Sequence, residues 1–321
     1  MGTALRKIFT LSLALVLAIA ILVSCGTSRP RAAEWKSRAL SRESQVGSGE
    51  NRRYLKVDGR DRSYLLYIPK GLDRTKPSPV ILAFHGAMGT PENIAQITGF
   101  NEKAGRAGFI VAYPEGYKRR WNAGNCCDPP RAEGINDVAF VRAILDDLVS
   151  VVNIDPQRIF AAGFSNGGKM TYRLACELSE RIAAVTVVSS SIGVESCSPK
   201  RPVPVLHLHG SADKLSPYKG GQGALASTGE HRGAIDSVNE WVSLDRCSTQ
   251  AQETYNRGKA KCLTHSNCRV GAEVTLCTIE GMGHQWPGGE VVRPRLLGPG
   301  SDDISATDRS IEFFLRHPML Q

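Results

Sequence analysis

Short apolar runs recur along the chain, and most are followed by a segment with the spacing of an amphipathic helix. Residues 80–84 and 109–113 are almost wholly apolar, which is typical of strands that a sheet buries on both faces. Across residues 137–152 apolar side chains return every third or fourth position, which predicts a helix. Further strands are predicted at 64–68, 158–162, 183–188, 203–208 and 274–279, and further helices at 166–178, 234–244 and 305–315. The alternation predicts a single α/β domain with a mostly parallel central sheet flanked by helices.

The N-terminus has a different pattern. Arg6 and Lys7 are followed by an uncharged, largely apolar run over residues 8–23, the pattern of an export signal. The run is short for a membrane-spanning helix, which needs about 20 residues. It ends in Leu-Val-Ser-Cys25, which resembles a bacterial lipobox and implies cleavage before Cys25 and lipidation of that residue. An uncleaved signal anchor is the alternative.

Residues 26–50 are rich in Ser, Arg, Gly and Glu and have little apolar periodicity. The predicted organisation is therefore a lipoprotein signal peptide (1–24), a flexible tether from lipidated Cys25 (25–50) and a folded α/β domain (51–321). We expect an exported protein that a lipid anchors to a membrane and that faces the periplasm or the cell exterior. A secreted protein is the alternative.

The cysteine count fits export. The chain has nine cysteines, so eight remain if Cys25 carries lipid, and an even set in an exported chain suggests disulfides. The favoured pairs are Cys262 with Cys277 and Cys247 with Cys268, while Cys126 and Cys127 bond separately to Cys176 and Cys197. A zinc site from Cys262, His265 and Cys268 is the less favoured alternative, since no Cys-x-x-Cys occurs.

The net charge of +9 is moderate for this length, and the densest basic cluster is residues 118–120, beside Trp121. No nucleic-acid-binding motif accompanies the cluster, so we expect no nucleic-acid partner. A solvated basic surface is the simplest interpretation, and a rim that attracts anionic substrates is a second one.

Candidate chemistry begins at Ser165, in the sequence Gly-Phe-Ser-Asn-Gly. This Gly-x-Ser-x-Gly motif lies between a predicted strand and a predicted helix, which is the context of a nucleophile elbow. Gly163 and Gly167 leave room for the sharp turn that exposes the hydroxyl. A serine hydroxyl needs a base to become a nucleophile, so the elbow predicts a histidine partner.

The base and the acid are expected after the later strands, in the order Ser, Asp, His. His284 follows the last predicted strand, whereas His231 and His265 lie in predicted polar loops. Asp213 follows the strand that ends in His-Gly, and Asp245, at a predicted helix end, is the alternative acid.

Two further features accompany these residues. The His-Gly turn after residue 84 predicts an oxyanion hole from the backbone N–H groups of Ala87 and Asn166. His207 and His209 share one strand face, which suggests either a metal pair or packing; no third ligand is evident, so packing is favoured.

Together these segments resemble the polyhydroxybutyrate depolymerase and feruloyl esterase family of α/β-hydrolases. The segments are HGAMG, WNAGNCC, NDVAFV, GFSNGGKMTYRLAC, HLHGSADKLSPYKGG and EGMGHQWPGG, in order over about residues 53–315. The resemblance implies a Ser165–Asp213–His284 triad that hydrolyses carboxylic esters through an acyl-enzyme, without metal or cofactor. Trp121 and Trp286 flank the implied site and are candidates to line the acyl pocket or to pack in the core.

The chain departs from that family at two points. No polymer-binding module is evident, which favours hydroxyalkanoate oligomers or hydroxycinnamoyl esters over insoluble polyester as substrates. Lys169 also places a charge where related sequences often have an apolar residue. The alternatives are a peptidase of the same fold and a lipid-anchored binding protein without turnover, although the full set of catalytic residue types favours an enzyme.

Overall fold

The structure is a computed structural model that describes residues 46–224 and 230–320. The predicted signal peptide (1–24), Cys25 and the tether up to residue 45 lie outside the described residues. Val46 is buried in the core and strand β1 begins at Gly49, so the fold includes the end of the predicted tether.

The secondary structure follows the predicted alternation and adds strands and helices between the predicted ones. The strands are β1 (Gly49–Val57), β2 (Arg60–Ile68), β3 (Ser78–Phe84), β4 (Ile110–Pro114), β5 (Ile154–Phe164), β6 (Ala184–Val188), β7 (Val205–Gly210), β8 (Gly221–Gln222), β9 (Glu230–His231), β10 (Gln252–Arg257), β11 (Ala260–His265) and β12 (Val274–Ile279). The helices are α1 (Pro91–Thr98), α2 (Phe100–Arg106), α3 (Asp137–Val151), α4 (Asn166–Glu177), α5 (Ala234–Leu244), α6 (Pro294–Leu297) and α7 (Ala306–Arg316).

One sheet of ten strands organises the described residues, in the order β1-β2-β4-β3-β5-β6-β7-β12-β11-β10. Neighbouring strands run parallel from β4 to β12, and antiparallel strands close both edges. The carboxyl ends of the parallel strands therefore meet at one edge, where ligands bind in open α/β sheets. The predicted fold, a single α/β domain of the hydrolase type, is confirmed.

Each face of the sheet carries its own apolar core. Helices α3, α4 and α5 cover one face, with Phe140, Leu174 and Trp241 fully buried. Helices α1, α2 and α7 cover the other, where Phe160 and Phe314 stack at 4.7 Å between ring centroids. The central strands are buried on both faces, which explains their continuous apolar runs in the sequence.

Disulfides join the eight cysteines of the described residues. Cys262 with Cys277 and Cys247 with Cys268 pair as predicted. The prediction for the other four was wrong, because Cys176 bonds Cys197 and Cys126 bonds Cys127. Cys176 lies near the end of α4, and its Cα atom is 5.1 Å from that of Cys197, a distance that a disulfide spans. With Cys176 and Cys197 bonded to each other, neither is available to Cys126 or Cys127.

Two histidines also lie elsewhere than predicted. His265 ends β11 and His231 is a buried residue of β9, rather than members of polar loops. Because Cys262 and Cys268 are both in disulfides, the alternative zinc site has lost two of its three ligands. None of the helices in the described residues is long and apolar enough to cross a membrane.

Candidate active site

Ser165 stands at a sharp turn between β5 and α4. Its backbone has φ 55° and ψ −121°, a conformation that L-residues rarely adopt. A Cβ on Gly163 would lie 2.2 Å from the carbonyl oxygen of Gly167, and a Cβ on Gly167 would lie 2.3 Å from that of Phe84. The two glycines therefore permit the close packing of strand, turn and helix that holds Ser165 in place.

Hydrogen bonds fix this turn from the neighbouring strand β6. The backbone N–H of Ser165 donates to the carbonyl of Val188 at 3.0 Å. The hydroxyl of Ser190 donates to the carbonyl of Ser165 at 2.7 Å. The turn is thus tied to the carboxyl end of β6, and its strained backbone is supported by surrounding structure.

Asp213 and His284 form a buried pair beyond the ends of β7 and β12. Nδ1 of His284 lies 2.7 Å from Oδ2 of Asp213, and both residues are nearly inaccessible to solvent. The imidazole of His284 also contacts the ring of Phe164, with 5.0 Å between centroids. Phe164 directly precedes Ser165, so His284 packs against the residue next to the predicted nucleophile and is hydrogen-bonded to the predicted acid.

The carboxylate of Asp213 has further donors. Its Oδ1 accepts the backbone N–H groups of Leu215 and Ser216, each at 2.9 Å. His209 Nε2 lies 3.3 Å from Oδ2. Burial alone would raise the pKa of Asp213, but the charge of His284 and the hydrogen bonds from His209 and His284 outweigh it and hold that pKa well below its usual range. Asp213 therefore stays ionised.

Asp245, the alternative acid, lies elsewhere. It follows α5, and its Oδ1 accepts the backbone N–H of Val203 at 3.3 Å, just before the amino end of β7. Asp213 follows the carboxyl end of that strand. Burial raises the pKa of Asp245 to about 7, but the residue is at the opposite end of β7 from His284.

The His-Gly turn after β3 lies beside the start of α4. Phe84 pairs with Gly163 across β3 and β5, which brings the two turns together. His85 is buried, and burial lowers its pKa to about 4 despite a hydrogen bond to the carbonyl of Gly86, so its ring is neutral. Its Nε2 accepts the backbone N–H of Gly116 at 3.0 Å, which fixes the path of the turn.

Asn166 is the first residue of α4, where a backbone N–H has no acceptor within the helix. Its side chain accepts the backbone N–H of Trp121 at 2.8 Å and donates to the carbonyl of Trp121 at 3.1 Å. Ala87 lies on the exposed part of the turn after β3. The two backbones predicted to form an oxyanion hole thus belong to adjoining turns.

The two tryptophans are core residues. Trp121 is fully buried, and its Nε1 donates to the carbonyl of His85 at 2.8 Å. Trp286 is 2% exposed and its Nε1 donates to Thr307 Oγ1 at 3.0 Å. Their burial favours the packing alternative, and a role for either ring in lining the acyl pocket stays a prediction.

Two features of the site were not predicted from the sequence. His209 contacts Asp213, although the sequence suggested only packing or a metal pair. Lys169 is 3% exposed one helical turn after Ser165, and its Nζ donates to Ser191 Oγ at 3.1 Å. The spacing of four residues in His-Gly-Ser-Ala-Asp, across a strand end and a turn, is the signal that could have indicated the first contact.

The chain has clear relatives. The sequence model of the family described as esterase PHB depolymerase matches residues 62–216. The chain is 32% identical over 282 residues to "Putative esterase NocK" of Nocardia uniformis subsp. tsuyamanensis, and the match covers 82% of each protein. It is 31% identical over 234 residues to feruloyl esterase B of Piromyces equi, which covers 70% of this chain and 42% of that protein.

Solved structures show the same architecture. The acetyl xylan esterase from Aspergillus awamori aligns with a TM-score of 0.57 over 82% of this chain and 98% of that chain. Its sequence identity is 14%, so this likeness shows the fold alone.

Proposed function

Because the chain belongs to the esterase PHB depolymerase family and is a carboxylic ester hydrolase, we propose that Ser165, His284 and Asp213 carry out the hydrolysis. The observation that carries this proposal is the 2.7 Å pair of His284 and Asp213, held beside the strained turn of Ser165. The three residues have the types and the chain order of a serine hydrolase triad.

The reaction begins when Ser165 Oγ attacks the ester carbonyl while Nε2 of His284 takes the hydroxyl proton. Asp213 accepts the Nδ1–H of His284, which leaves Nε2 free as the base, and its negative charge stabilises the imidazolium. The backbone N–H groups of Ala87 and Asn166 stabilise the oxyanion, aided by the positive end of the α4 dipole.

His284 then returns its proton to the leaving alcohol, and the acyl group remains on Ser165. In the second half-reaction a water molecule gives a proton to His284 and attacks the acyl-enzyme carbonyl. Collapse of this second tetrahedral intermediate releases the carboxylic acid and restores the serine. No step requires a group outside the chain other than ester and water.

The proposed substrates are soluble esters, either hydroxyalkanoate oligomers or hydroxycinnamoyl groups on polysaccharide. Support for the second class comes from the relatives named feruloyl esterase, and support for the first from the family description. Neither substrate class requires a polymer-binding module.

The proposed location is outside the cytoplasmic membrane, with lipid on Cys25 as the anchor. The disulfides of the described residues favour an oxidising compartment. Metabolic labelling with a radioactive fatty acid in a bacterial host tests the anchor. Label that the Cys25→Ala change removes would support it, and an unlabelled wild-type protein would count against it.

A hydrolysis panel tests the function. Wild type and Ser165→Ala are assayed on p-nitrophenyl esters of increasing acyl length, methyl ferulate and 3-hydroxybutyrate oligomers. We expect turnover by the wild type and a loss of at least about 10³-fold in Ser165→Ala. Ser243→Ala, an exposed serine on α5, is the matched control and should retain wild-type rates. Equal measurable rates in wild type and Ser165→Ala would exclude the proposed nucleophile, and no turnover by either protein would leave the binding-protein alternative.

A further inference from the structure

A line of buried side chains continues from Asp213 away from His284. His209 Nε2 lies 3.3 Å from Asp213 Oδ2, and His209 Nδ1 lies 3.1 Å from His207 Nε2. His207 Nδ1 in turn lies 2.8 Å from the hydroxyl of Tyr172 on α4, the helix that begins after Ser165. All three of these side chains are fully buried.

One carbonyl sets the direction of every hydrogen bond in the line. His209 Nε2 lies 2.8 Å from the carbonyl oxygen of Ser216, which can only accept. Nε2 of His209 must therefore carry a proton, and its Nδ1 accepts when the ring is neutral. His207 must then donate from Nε2 to His209, and the hydroxyl of Tyr172 must donate to Nδ1 of His207.

The neutral form of His207 follows from its surroundings. Burial, together with the neighbouring ring of His209, holds the pKa of His207 well below its usual range. The rings of His207 and His209 stack with 5.3 Å between centroids, and a charge on one would repel a charge on the other. With only one of the two rings able to carry a charge, the donors run from Tyr172 through His207 to His209, whose Nε2 faces both the carbonyl of Ser216 and Asp213.

We propose that Tyr172, His207 and His209 are positioning residues that hold the carboxylate of Asp213 ionised and aimed at His284. This inference rests on the proposed function, because it assigns Asp213 to the triad. Oδ2 accepts from His284 and lies 3.3 Å from His209 Nε2, whose N–H it shares with the carbonyl of Ser216, while Oδ1 accepts two backbone N–H groups. Four donors share the negative charge, so the carboxylate remains an acceptor and does not take the proton of the imidazolium.

The tautomers can be read directly by NMR. In protein labelled with ¹⁵N-histidine, we expect His207 and His209 each to show a protonated Nε2 and an unprotonated Nδ1. Assignment comes from the spectra of His207→Gln and His209→Gln. The opposite tautomer in either ring, or a doubly protonated ring at neutral pH, would overturn the inferred direction. This measurement does not depend on ester hydrolysis, so it remains informative even if the proposed function fails.

A pair of variants tests the consequence for catalysis. His209→Leu removes the donor to Asp213, whereas His209→Gln retains an amide N–H at a similar reach. We expect His209→Leu to lower kcat about tenfold with little change in KM, the loss of roughly one charge-assisted hydrogen bond. We expect His209→Gln to recover most of that loss.

The pH profile separates positioning from a structural role. Without His209, the carboxylate interacts more strongly with protonated His284, so the acid limb of kcat/KM should move to higher pH in His209→Leu and not in His209→Gln. Both variants retain the other titratable neighbours, which are Lys169, Tyr218 and His231. Their effects on the acid limb are therefore the same in His209→Leu and His209→Gln. Wild-type kcat and an unshifted acid limb in folded His209→Leu would overturn the proposal while leaving the triad intact. If His209→Leu does not fold, Tyr172→Phe supplies the test, because it removes the first donor and should change the tautomer populations of His207.

Discussion

Lys169 is a buried cation without a carboxylate, and its replacement should stabilise the protein. Its side chain is 3% exposed, and among the described residues no acidic group lies within ion-pair distance of Nζ. Within the described part of the chain, its Nζ donates a hydrogen bond to Ser191 Oγ at 3.1 Å. Burial, with a smaller contribution from the charge of Arg232, lowers the pKa of Lys169 to about 8 from 10.5. The folded state therefore disfavours the ammonium form.

The size of the expected stabilisation follows from the lowered pKa of Lys169 in the folded state. The fall in the pKa of Lys169 from 10.5 to about 8 corresponds to roughly 3 kcal/mol by which folding disfavours the charged form. Lys169→Met removes this cost but leaves Ser191 Oγ without its donor, which costs about 1 kcal/mol or more. The net expectation at pH 7 is a gain of about 2 kcal/mol in the free energy of unfolding.

The contribution of Lys169 to the free energy of unfolding changes with pH in a direction that its lowered pKa determines. Below pH 8 Lys169 is protonated in both folded and unfolded states, and the wild type bears the full cost. Between about pH 8 and 10.5 the unfolded state binds more protons, so wild-type stability contributed by this residue rises with pH. The advantage of Lys169→Met should therefore shrink over that window.

The assay is urea unfolding of wild type and Lys169→Met at pH 7 and at pH 9.5, with Lys56→Met as the matched control. Lys56 is exposed on β1, and its replacement should change stability by less than about 0.5 kcal/mol. A Lys169→Met protein that is less stable than wild type at pH 7, or a difference that does not change with pH, would refute this account of the buried ammonium.

Three further predictions concern the acid, a buried ion pair and a disulfide. Asp213→Asn should lower kcat by about 10⁴-fold with little change in KM, because His284 loses the partner that fixes its tautomer; steady-state kinetics with a p-nitrophenyl ester measure this. Arg62→Met should cost about 3–5 kcal/mol in urea unfolding, since Arg62 Nη2 lies 2.7 Å from Oδ1 of the fully buried Asp137, and a loss below 1 kcal/mol would contradict that assignment. The Cys262→Ser/Cys277→Ser double variant should lose about 3 kcal/mol, as expected for a loop of this length, and an unchanged unfolding midpoint would count against the pairing.

The central strands were predictable because their burial is visible in the sequence as continuous apolar runs. Strands β3, β4 and β6 are buried on both faces, so every position is apolar and no alternation is needed to recognise them. The parallel order then brings the ends of β5, β7 and β12 to one edge. That arrangement is why Ser165, Asp213 and His284 could be proposed together from residues far apart in the chain.

Strand β10 and helix α1 are harder to recognise in the sequence. Strand β10 reads Gln-Glu-Thr-Tyr-Asn-Arg and is mostly exposed, so it has no apolar period to find. Helix α1 was missed although Thr90 caps it by accepting the N–H of Asn93 and Pro91 begins it, a pattern that marks helix starts. These elements are specified by pairing and capping rather than by burial.

The remaining contacts depend on tertiary geometry. The disulfide partner of Cys126 depends on whether Cys176 lies close enough to Cys197 to bond it. No local sequence pattern records that distance. The line from Tyr172 through His207 and His209 joins α4 to β7, and its direction depends on the carbonyl of Ser216. Spacing places His207 and His209 on one strand face, but it does not identify Tyr172 as their partner or the cysteine that Cys126 bonds.

Trapping the nucleophile tests the central claim most directly. Wild type and His284→Ala are treated with a fluorophosphonate, and peptide mass spectrometry identifies the modified residue and its rate of modification. We predict a single adduct on Ser165 in the wild type and a rate at least about 10³-fold lower in His284→Ala. An adduct on a different residue, or equal rates in the two proteins, would contradict the assignment of Ser165 as nucleophile and His284 as its base.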